Sequence, residues 1–247
     1  MNAPEKYLAA ARAVLEHLEK TQLPALERAA DLVVHALVHR GTVWCAEVGH
    51  GIQGDFLNRA GGLAAIRRFA FSLSVEDQNA ACLKDRPAPT TVERDLETVR
   101  LAVRVSNLRA GDVMLLGSVS GKNRIPVELA LACRGCGVKT IGLTSLEYSR
   151  RVASLHPSGK RLFEVADVTL DHGAPYGDAA VEIPGYKDPA LPVSGFACSV
   201  LGHMLWGRVM EKMAAAGTPA TVFISANREG GPEHYQRMIA QYEQRGY

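Results

Sequence analysis

Apolar residues recur at helical spacing in two segments at the start of the chain. Within each segment they are separated by three or four positions: Leu8, Ala11, Leu15 and Leu18 in the first, and Leu26, Ala29, Val33 and Leu37 in the second. This spacing places them on one face of an amphipathic helix. Pro24 suits the first turn of the second helix, and Gly41 marks its end. The pattern predicts a helical pair within residues 1–40.

Beyond residue 40 the pattern changes to short apolar runs that alternate with helical spacing. The runs, which predict strands, lie at 42–48, 63–71, 113–116, 138–143 and 165–170; helices are predicted after the first run as far as residue 60 and at 92–105, 125–133, 196–216 and 232–245. Residues 72–91 are a predicted loop. Short apolar strands alternating with helices are typical of a parallel sheet covered on both faces. We therefore expect an α/β fold in one domain, with the sheet core and the long helix in 41–225 and a tail helix in 226–247.

The composition narrows the range of partners. The 247 residues are 47% hydrophobic and 22% charged, which suits a globular domain with a substantial core. Lys and Arg number 28 against 26 Asp and Glu, so the formal net charge is only +2. This balance argues against nucleic acid or an anionic membrane as the main partner. No stretch approaches the ~20 apolar residues of a membrane span, and the first residues contain no apolar signal core, so we expect a cytoplasmic protein.

The five cysteines predict reduced thiols rather than a disulfide framework. Their number is odd and their neighbours are apolar, as is typical of a cytosolic protein. Cys133 and Cys136 have the spacing of a redox or metal motif, but Cys133 falls on the apolar face of a predicted helix. No second cysteine pair lies nearby to complete a zinc site. We predict no essential metal and no cofactor.

Candidate chemistry lies where the predicted strands end. In parallel sheets of this kind, ligands bind beyond the carboxyl ends of the strands. Three of these ends carry glycine or polar residues: Gly49-His50-Gly51, the stretch 117–123, and Thr144-Ser145. The second is the most informative, because a strand that leads through hydroxyls and glycine into a helix is suited to an anion. Ser118 and Ser120 offer hydroxyl donors, Gly121 allows close approach, and Lys122 adds a charge, so phosphate is the expected ligand group.

At these residues the chain resembles a SIS (sugar isomerase) domain. The matching features are the Gly-His-Gly turn, the Ser118-to-Gly121 loop followed by Pro126, the stretch from Thr144 to Ser149, and the segments 156–162, 164–167, 171–178 and 225–227. The later segments resemble a bacterial subfamily of stand-alone SIS proteins, related to sedoheptulose-7-phosphate isomerase and N-acetylmuramic acid 6-phosphate etherase. The resemblance covers nearly the whole chain.

The resemblance implies a three-layer sandwich with a five-stranded parallel sheet in flavodoxin-like order. It also implies homodimers or homotetramers with sites at subunit junctions, and binding of a phosphorylated sugar. Ser118, Ser120 and the backbone after Gly121 would contact phosphate, and Ser145 would close the pocket. The sequence departs from the family pattern at Asn123 and at Gly51, where relatives often carry hydroxyl residues.

Three functions remain open from the sequence. The first is an aldose–ketose isomerase working through an enediol, which needs a base above a carbon and an acid near the carbonyl oxygen. Glu76, with Asp77 as an alternative, is the candidate base, although a solvated loop acid fits Glu76 equally well. His203 resembles the histidine that a sedoheptulose-phosphate isomerase uses from its last long helix, although a core or interface histidine fits the pattern as well.

The remaining candidates would orient the sugar. His50 and Asn123 lie beside the phosphate loop or its neighbouring strand end, and the further candidate contacts are Gly49, Gly51, Lys122, Thr144, His172 and Tyr176. The second function is an etherase-like lyase acting on a phosphorylated amino sugar, which uses the same residue types. The third is a non-catalytic phosphosugar sensor, against which the chain shows no helix-turn-helix or basic DNA-reading segment.

Overall fold

Five parallel strands form the central sheet. The computed structural model describes residues 1–49, 53–76, 78–83, 85–86 and 93–247. The strands are β1 (Val43–Gly49), β2 (Ile66–Phe69), β3 (Val113–Gly117), β4 (Lys139–Thr144) and β5 (Val168–Asp171). They lie in the order β2-β1-β3-β4-β5, and each neighbouring pair is parallel. This is the flavodoxin-like order that the resemblance implied, and β3 lies at its centre.

Helices and a small hairpin surround the sheet. The helices are α1 (Ala3–Thr21), α2 (Leu23–Val38), α3 (Gln53–Phe56), α4 (Arg94–Val105), α5 (Arg124–Gly135), α6 (Leu146–Arg151), α7 (Leu162–Val165), α8 (Ser194–Ala215) and α9 (Gly231–Arg245), with a 3-10 turn at Ala81–Leu83. Strands β6 (Ala179–Val181) and β7 (Ala190–Pro192) pair in antiparallel fashion. In the parts of the chain that the structure describes, no helix is both long enough and apolar enough to cross a membrane.

Alternate residues of the strands fill two separate apolar layers. On β3, Val113 and Leu115 pack with residues of α1, α2 and α8, whereas Met114 and Leu116 pack with residues of α4, α5 and α7. Because successive side chains of a strand point to opposite faces, a run of apolar residues requires cover on both sides. The predicted three-layer sandwich is therefore confirmed, and it leaves the carboxyl ends of the strands as an edge on which loops can build a site.

The N-terminal helical pair is confirmed, but α1 buries only part of the predicted stripe. Leu18 is buried as predicted, whereas Leu8 and Leu15 are 54% and 42% exposed; Val14 is buried instead, and Tyr7 and Ala10 pack partly against the core. Both stripes have helical spacing, so periodicity alone could not choose between them. The buried stripe of α2 contains the predicted Leu26, Ala29, Val33 and Leu37.

Several short elements differ from the prediction. The run at 63–71 forms a strand only over Ile66–Phe69, the helix after β1 ends at Phe56 rather than near 60, and β5 begins at Val168 because residues 162–165 are helical. Helices α6 and α7 and the β6–β7 hairpin were not predicted. Elements of three to six residues contain too few positions to show a period, so side-chain caps decide them. Ser145, for example, begins α6 by accepting the Tyr148 N–H at 3.0 Å.

Candidate functional site

The loop of residues 118–123 connects the carboxyl end of β3 to the first turn of α5. Asn123 is the N-cap residue of α5, with extended backbone at φ −71° and ψ 144°, but its side chain makes no capping hydrogen bond and is exposed. The first backbone amides of this twelve-residue helix therefore lack the side-chain acceptor that an N-cap residue usually supplies. The helix dipole adds partial positive charge at the same place.

Each carbonyl of residues 118–122 is held by a donor from the body of the protein or from the loop itself. The hydrogen bonds are Gly121 N to Ser118 O (3.1 Å), Ser145 N and Thr144 Oγ1 to Val119 O (3.0 and 3.1 Å), Ser149 Oγ to Ser120 O (2.8 Å), Leu162 N to Gly121 O (2.8 Å) and Leu155 N to Lys122 O (2.9 Å). Apart from Gly121 N, these donors belong to the end of β4 and the residue after it, to α6, to the segment between α6 and α7, and to the first residue of α7. The loop is thus fixed by its carbonyl oxygens.

Fixing the carbonyls also fixes the direction of the amides. In a trans peptide unit, the N–H of one residue points away from the C=O of the residue before it. The amides of Val119, Ser120, Lys122 and Asn123 each follow a held carbonyl, and none of the four has an acceptor among the described residues. Amide donors without a protein acceptor are free to bind a ligand or water. The backbone therefore offers four donors for an anion.

The hydroxyl of Ser118 strengthens this arrangement. Ser118 is 2% exposed, and its Oγ is buried with no hydrogen-bond partner within the described part of the chain. A buried hydroxyl without a partner is destabilising, so an acceptor at this position would stabilise it. Ser120 is also buried, and the half-buried Lys122 makes no ion pair with any described residue. Donors of three kinds, amide, hydroxyl and ammonium, thus occur within five residues.

Glycine is required at position 121. Its φ is +64°, in the left-handed region, and an added Cβ would lie 2.6 Å from Ser149 Oγ and 3.0 Å from Thr144 Oγ1. Those two hydroxyls are 3.0 Å apart and stand directly behind the loop. Thr144, a predicted substrate contact, is wholly buried, and its hydroxyl donates to Val119 O. The structure places this hydroxyl in support of the loop.

Ser145, predicted to close the pocket, is also engaged within the protein. It is wholly buried, and its Oγ donates to Ala174 O at 2.6 Å while accepting the Tyr148 N–H. Its backbone N–H holds Val119 O. Ser145 therefore fixes the loop through its backbone and caps α6 through its side chain.

The carboxyl ends of β1 and β3 meet at two glycines. Gly49 has φ +84° and pairs with Gly117, and a Cβ on Gly49 would lie 2.1 Å from Gly117 O. In a sheet of this order, the chain changes direction between β1 and β3, which is where such folds open a crevice. The predicted contacts His50 and Gly51, and the alternative base Asp77, lie outside the described residues.

Glu76 and His203 lie on segments that pack against opposite faces of the sheet. Glu76 is exposed in the segment after β2, and its neighbour Val75 lines a cavity together with Thr98 and Leu101 of α4. His203 is exposed on α8, although its apolar surroundings in the sequence favoured a buried ring. Its ring meets Phe56 edge-on with centroids 5.5 Å apart, and Gly202 leaves room for the same phenyl ring. Phe56 ends α3, which follows β1, so His203 lies beside the β1 end of the sheet.

His172 and Tyr176 lie on the opposite side, beyond β5. His172 is wholly buried, and its Nδ1 accepts the Ala174 N–H at 3.3 Å. Tyr176 is 53% exposed, and its ring lies 4.8 Å from that of Tyr148 and 5.8 Å from the Arg151 guanidinium. Strands β2 and β5 are four positions apart, which is about 19 Å at ordinary strand spacing. The structure therefore separates the predicted residues into two groups on either side of the loop.

Sequence reasoning missed the buried polar groups behind the loop. His156, which is not among the predicted site residues, is 7% exposed, and its Nε2 lies 2.7 Å from Glu128 Oε2. Glu128 also accepts from Arg100 Nε at 2.6 Å. Burial acts to raise the pKa of Glu128, but the hydrogen bonds from Arg100 and His156 outweigh it, so the pKa lies below its usual range. A lone carboxylate between Val127 and Leu129 is the one sequence signal that could have pointed to this pair.

Cys133 and Cys136, which have the spacing of a redox motif, are engaged within the fold. Burial raises the pKa of the Cys133 thiol to about 12, and Cys136 Sγ donates to Cys133 O at 3.2 Å. All five cysteines are free thiols. Because the thiolate is the reactive form, a thiol with so high a pKa is inert near neutrality.

Comparisons with known proteins agree with this architecture. The model of the SIS domain family matches residues 6–145, which include the 118–123 loop. A UPF0309 protein of Shouchella clausii is 32% identical over 253 residues, covering 98% of each chain, and one of Caldanaerobacter subterraneus subsp. tengcongensis is 32% identical over 237 residues, covering 94% of each. The solved phosphoheptose isomerase of Neisseria gonorrhoeae is similar in fold, with a TM-score of 0.53 at 18% identity over 82% of this chain and 94% of that one. The chain therefore belongs to the SIS domain family and is one of the UPF0309 proteins.

Proposed function

We propose that the 118–123 loop binds the phosphate group of a sugar phosphate. The observation that carries this proposal is the set of four unpaired amides beside the buried, unpaired Ser118 hydroxyl. A phosphate oxygen accepts from amides at a helix N-terminus without needing a cationic side chain, and Lys122 adds charge. The name of the similar solved protein, a phosphoheptose isomerase, supports a phosphorylated sugar as the class of ligand.

The finer proposal is that the protein is an aldose–ketose sugar phosphate isomerase. With phosphate on the loop after β3, a sugar lying across the end of β1 would extend toward Glu76 and His203. Glu76 would remove the proton from the carbon beside the carbonyl, and the electron pair would form the enediol while His203 protonates the carbonyl oxygen. In the second half, Glu76 returns its proton to the former carbonyl carbon while the other enediol hydroxyl gives its proton to His203 and becomes the new carbonyl, so protons and electrons balance without a redox cofactor.

Thermal unfolding with a panel of sugar phosphates and the matching free sugars tests the binding proposal. A ligand that binds only the folded state raises the midpoint. We expect a rise for at least one sugar phosphate and none for its free sugar.

Ser118→Ala should weaken that binding about tenfold, because one hydrogen bond to a charged group is lost. Ser106→Ala is the matched control, because Ser106 ends α4 at the opposite edge of the sheet. Equal affinity of the Ser118 variant and the wild-type protein would refute the phosphate assignment.

The catalytic proposal needs a measurement of turnover. Incorporation of solvent deuterium into the bound sugar phosphate reports enediol formation, and we expect Glu76→Gln to abolish it while leaving binding unchanged. Glu229→Gln, at an exposed glutamate before α9, serves as the control. Release of lactate from N-acetylmuramic acid 6-phosphate would instead favour a lyase. Binding without exchange or release of product would favour a sensor.

A further inference from the structure

Glu128 and His156 form a buried pair next to the first turns of α5. They are 4% and 7% exposed, and both carboxylate oxygens of Glu128 accept: Oε1 from Arg100 Nε and Oε2 from His156 Nε2. On the other side of the ring, Nδ1 of His156 accepts the Ser158 N–H at 3.1 Å. This leaves the imidazole proton on Nε2, where it donates to Glu128. Each polar atom of the pair is therefore used.

The pair holds the segment of residues 152–161, which is otherwise exposed over most of its length. The segment is braced internally, because Ser154 Oγ donates to Lys160 O at 2.7 Å and accepts the His156 N–H at 3.0 Å. A braced segment moves as a unit, and His156 is its buried member. Fixing this ring on Glu128 therefore fixes the position of the neighbouring Leu155 backbone.

The same segment supplies donors to the second half of the 118–123 loop. Leu155 N donates to Lys122 O, and Leu162 N, directly after the segment, donates to Gly121 O. Those two carbonyls direct the unpaired amides of Asn123 and Lys122. The first half of the loop is held differently, by Thr144 and Ser145 on Val119 O and by the turn from Gly121 N to Ser118 O.

We infer that Glu128 and His156 are positioning residues for phosphate binding, acting through the 152–161 segment to aim the amides of Lys122 and Asn123. The inference rests on the proposed function and adds to it a division of the loop into two halves with separate supports. The pair touches no ligand itself. Its loss would release the second half of the loop and leave the first half in place.

The test is an amide NMR titration with inorganic phosphate on wild-type protein and on Glu128→Gln. A glutamine offers one acceptor to Arg100 and one donor to the ring, so it can pair with His156 only if the ring proton moves to Nδ1, which lies 2.8 Å from Ser158 Oγ, and the Ser158 N–H bond to Nδ1 is then lost. In wild-type protein we expect saturable shifts for all four amides: Val119, Ser120, Lys122 and Asn123. In the variant, we expect the shifts of Lys122 and Asn123 to be lost, those of Val119 and Ser120 to remain, and affinity to fall about tenfold.

A matched variant separates positioning from general loss of stability. Asp167 accepts from Thr140 N–H and from Lys139 Nζ at the amino-end edge of the sheet, so Asp167→Asn creates a similar conflict far from the loop. We expect this variant to bind phosphate as the wild-type protein does. Should Glu128→Gln not fold, His156→Ala removes the ring while Arg100 still pairs with Glu128, and added imidazole should restore the shifts.

Two results would overturn the inference. One is a wild-type response of all four amides in Glu128→Gln or His156→Ala, and the other is an equal loss in Asp167→Asn. Absence of any phosphate-dependent shift in folded wild-type protein would refute the proposed function itself, and the inference would fall with it. If only the inference fails, wild-type protein still binds phosphate, so the two kinds of failure can be told apart.

Discussion

Gly121 combines two requirements that no other residue in the loop has to meet. Its backbone is left-handed, and the space where a Cβ would stand is occupied by the hydroxyls of Ser149 and Thr144. A left-handed conformation alone costs a non-glycine residue about 1–2 kcal/mol. Contact with both hydroxyls adds a steric cost, because they hold the carbonyls of Ser120 and Val119 and cannot retreat freely.

We therefore expect Gly121→Ala to destabilise the protein more than a glycine-to-alanine substitution at a left-handed position where no atom lies near the new Cβ. Gly217→Ala is that control, because Gly217 follows α8, has φ +74° and a Cβ there would meet nothing within 4 Å. Chemical denaturation should show an additional loss of about 1–3 kcal/mol for Gly121→Ala. Only the Gly121 variant should also lose phosphate affinity. Equal losses of stability would show that the hydroxyls give way.

The residues facing a possible ligand could be recognised in the sequence more readily than those behind it. Hydroxyls, glycine and lysine at a strand end predict an anion site; among the described residues Ser118 Oγ is buried without a partner and Gly121 is left-handed, which is compatible with that prediction. The hydroxyls of Thr144 and Ser145 looked equally suited to a ligand. Their acceptors, Val119 O and Ala174 O, lie 25 and 29 residues away, and sequence patterns do not show such long-range pairing.

Among the elements, α2 and α8 are joined by an ion network that makes their contact sensitive to acid. Arg208 Nε lies 2.7 Å from Glu27 Oε2, and Lys212 Nζ lies 2.5 Å from Glu27 Oε1. Hydrogen bonds from Arg208 and Lys212 lower the pKa of Glu27 from 4.5 to about 2. A carboxyl whose pKa is lower in the folded state stabilises that state above the unfolded pKa, and the contribution is lost as pH falls toward the folded pKa.

The stability difference between wild-type protein and Glu27→Gln should therefore depend on pH. At pH 7 we expect the variant to unfold at a lower temperature, by a small amount because the network is exposed to solvent. The difference should shrink as pH falls from about 4.5 toward 2, where Glu27 itself becomes neutral. Glu19→Gln, at an exposed acid on α1, is the control. A difference that stayed constant over this range would mean that the charge of Glu27 does not stabilise the contact.

The longer elements could be predicted and the shorter ones could not, for reasons of packing. Strand β3 is apolar and buried over its whole length, and the apolar stripe of α8 from Ala197 to Met213 is buried, whereas His203 and Glu211 on the same helix are exposed. Helix α1 offered two apolar stripes, and only its docking on the rest of the fold selects the one with Val14 and Leu18. Helix α7 has four residues and depends on the contact between Arg161 and Glu164, which has no periodic signature.

For the whole molecule, strand order decides which candidate residues can serve one ligand. Glu76 leaves β2 and Tyr176 follows β5, so the 118–123 loop at β3 lies between them. The ends of β2 and β5 are each two strand positions from the end of β3, about 9–10 Å, and four positions from each other, about 19 Å. On the proposed function, a sugar phosphate held by the loop would extend toward one of these two ends. The sequence could not show this, because both groups follow predicted strands of the same sheet and only the order of the strands separates them.

Mixing two impaired variants tests whether the loop and Glu76 of one chain form one site. We expect self-association, as the resemblance implies, with a molar mass by light scattering that is a multiple of 26.6 kDa. Ser118→Ala removes a phosphate contact and Glu76→Gln the proposed base, so at substrate concentrations well below KM the first variant should keep about a tenth of the wild-type turnover and the second none. If both residues serve the same site within a chain, a mixed oligomer contains no intact site, and co-refolding the variants restores no activity. If the site is completed across subunits, a dimer that mixes the variants has one intact site, and about a quarter of wild-type activity returns. We expect the first result, because the proposal assigns the loop and Glu76 of one chain to the same sugar phosphate, and recovery of activity would move Glu76 to the partner's site.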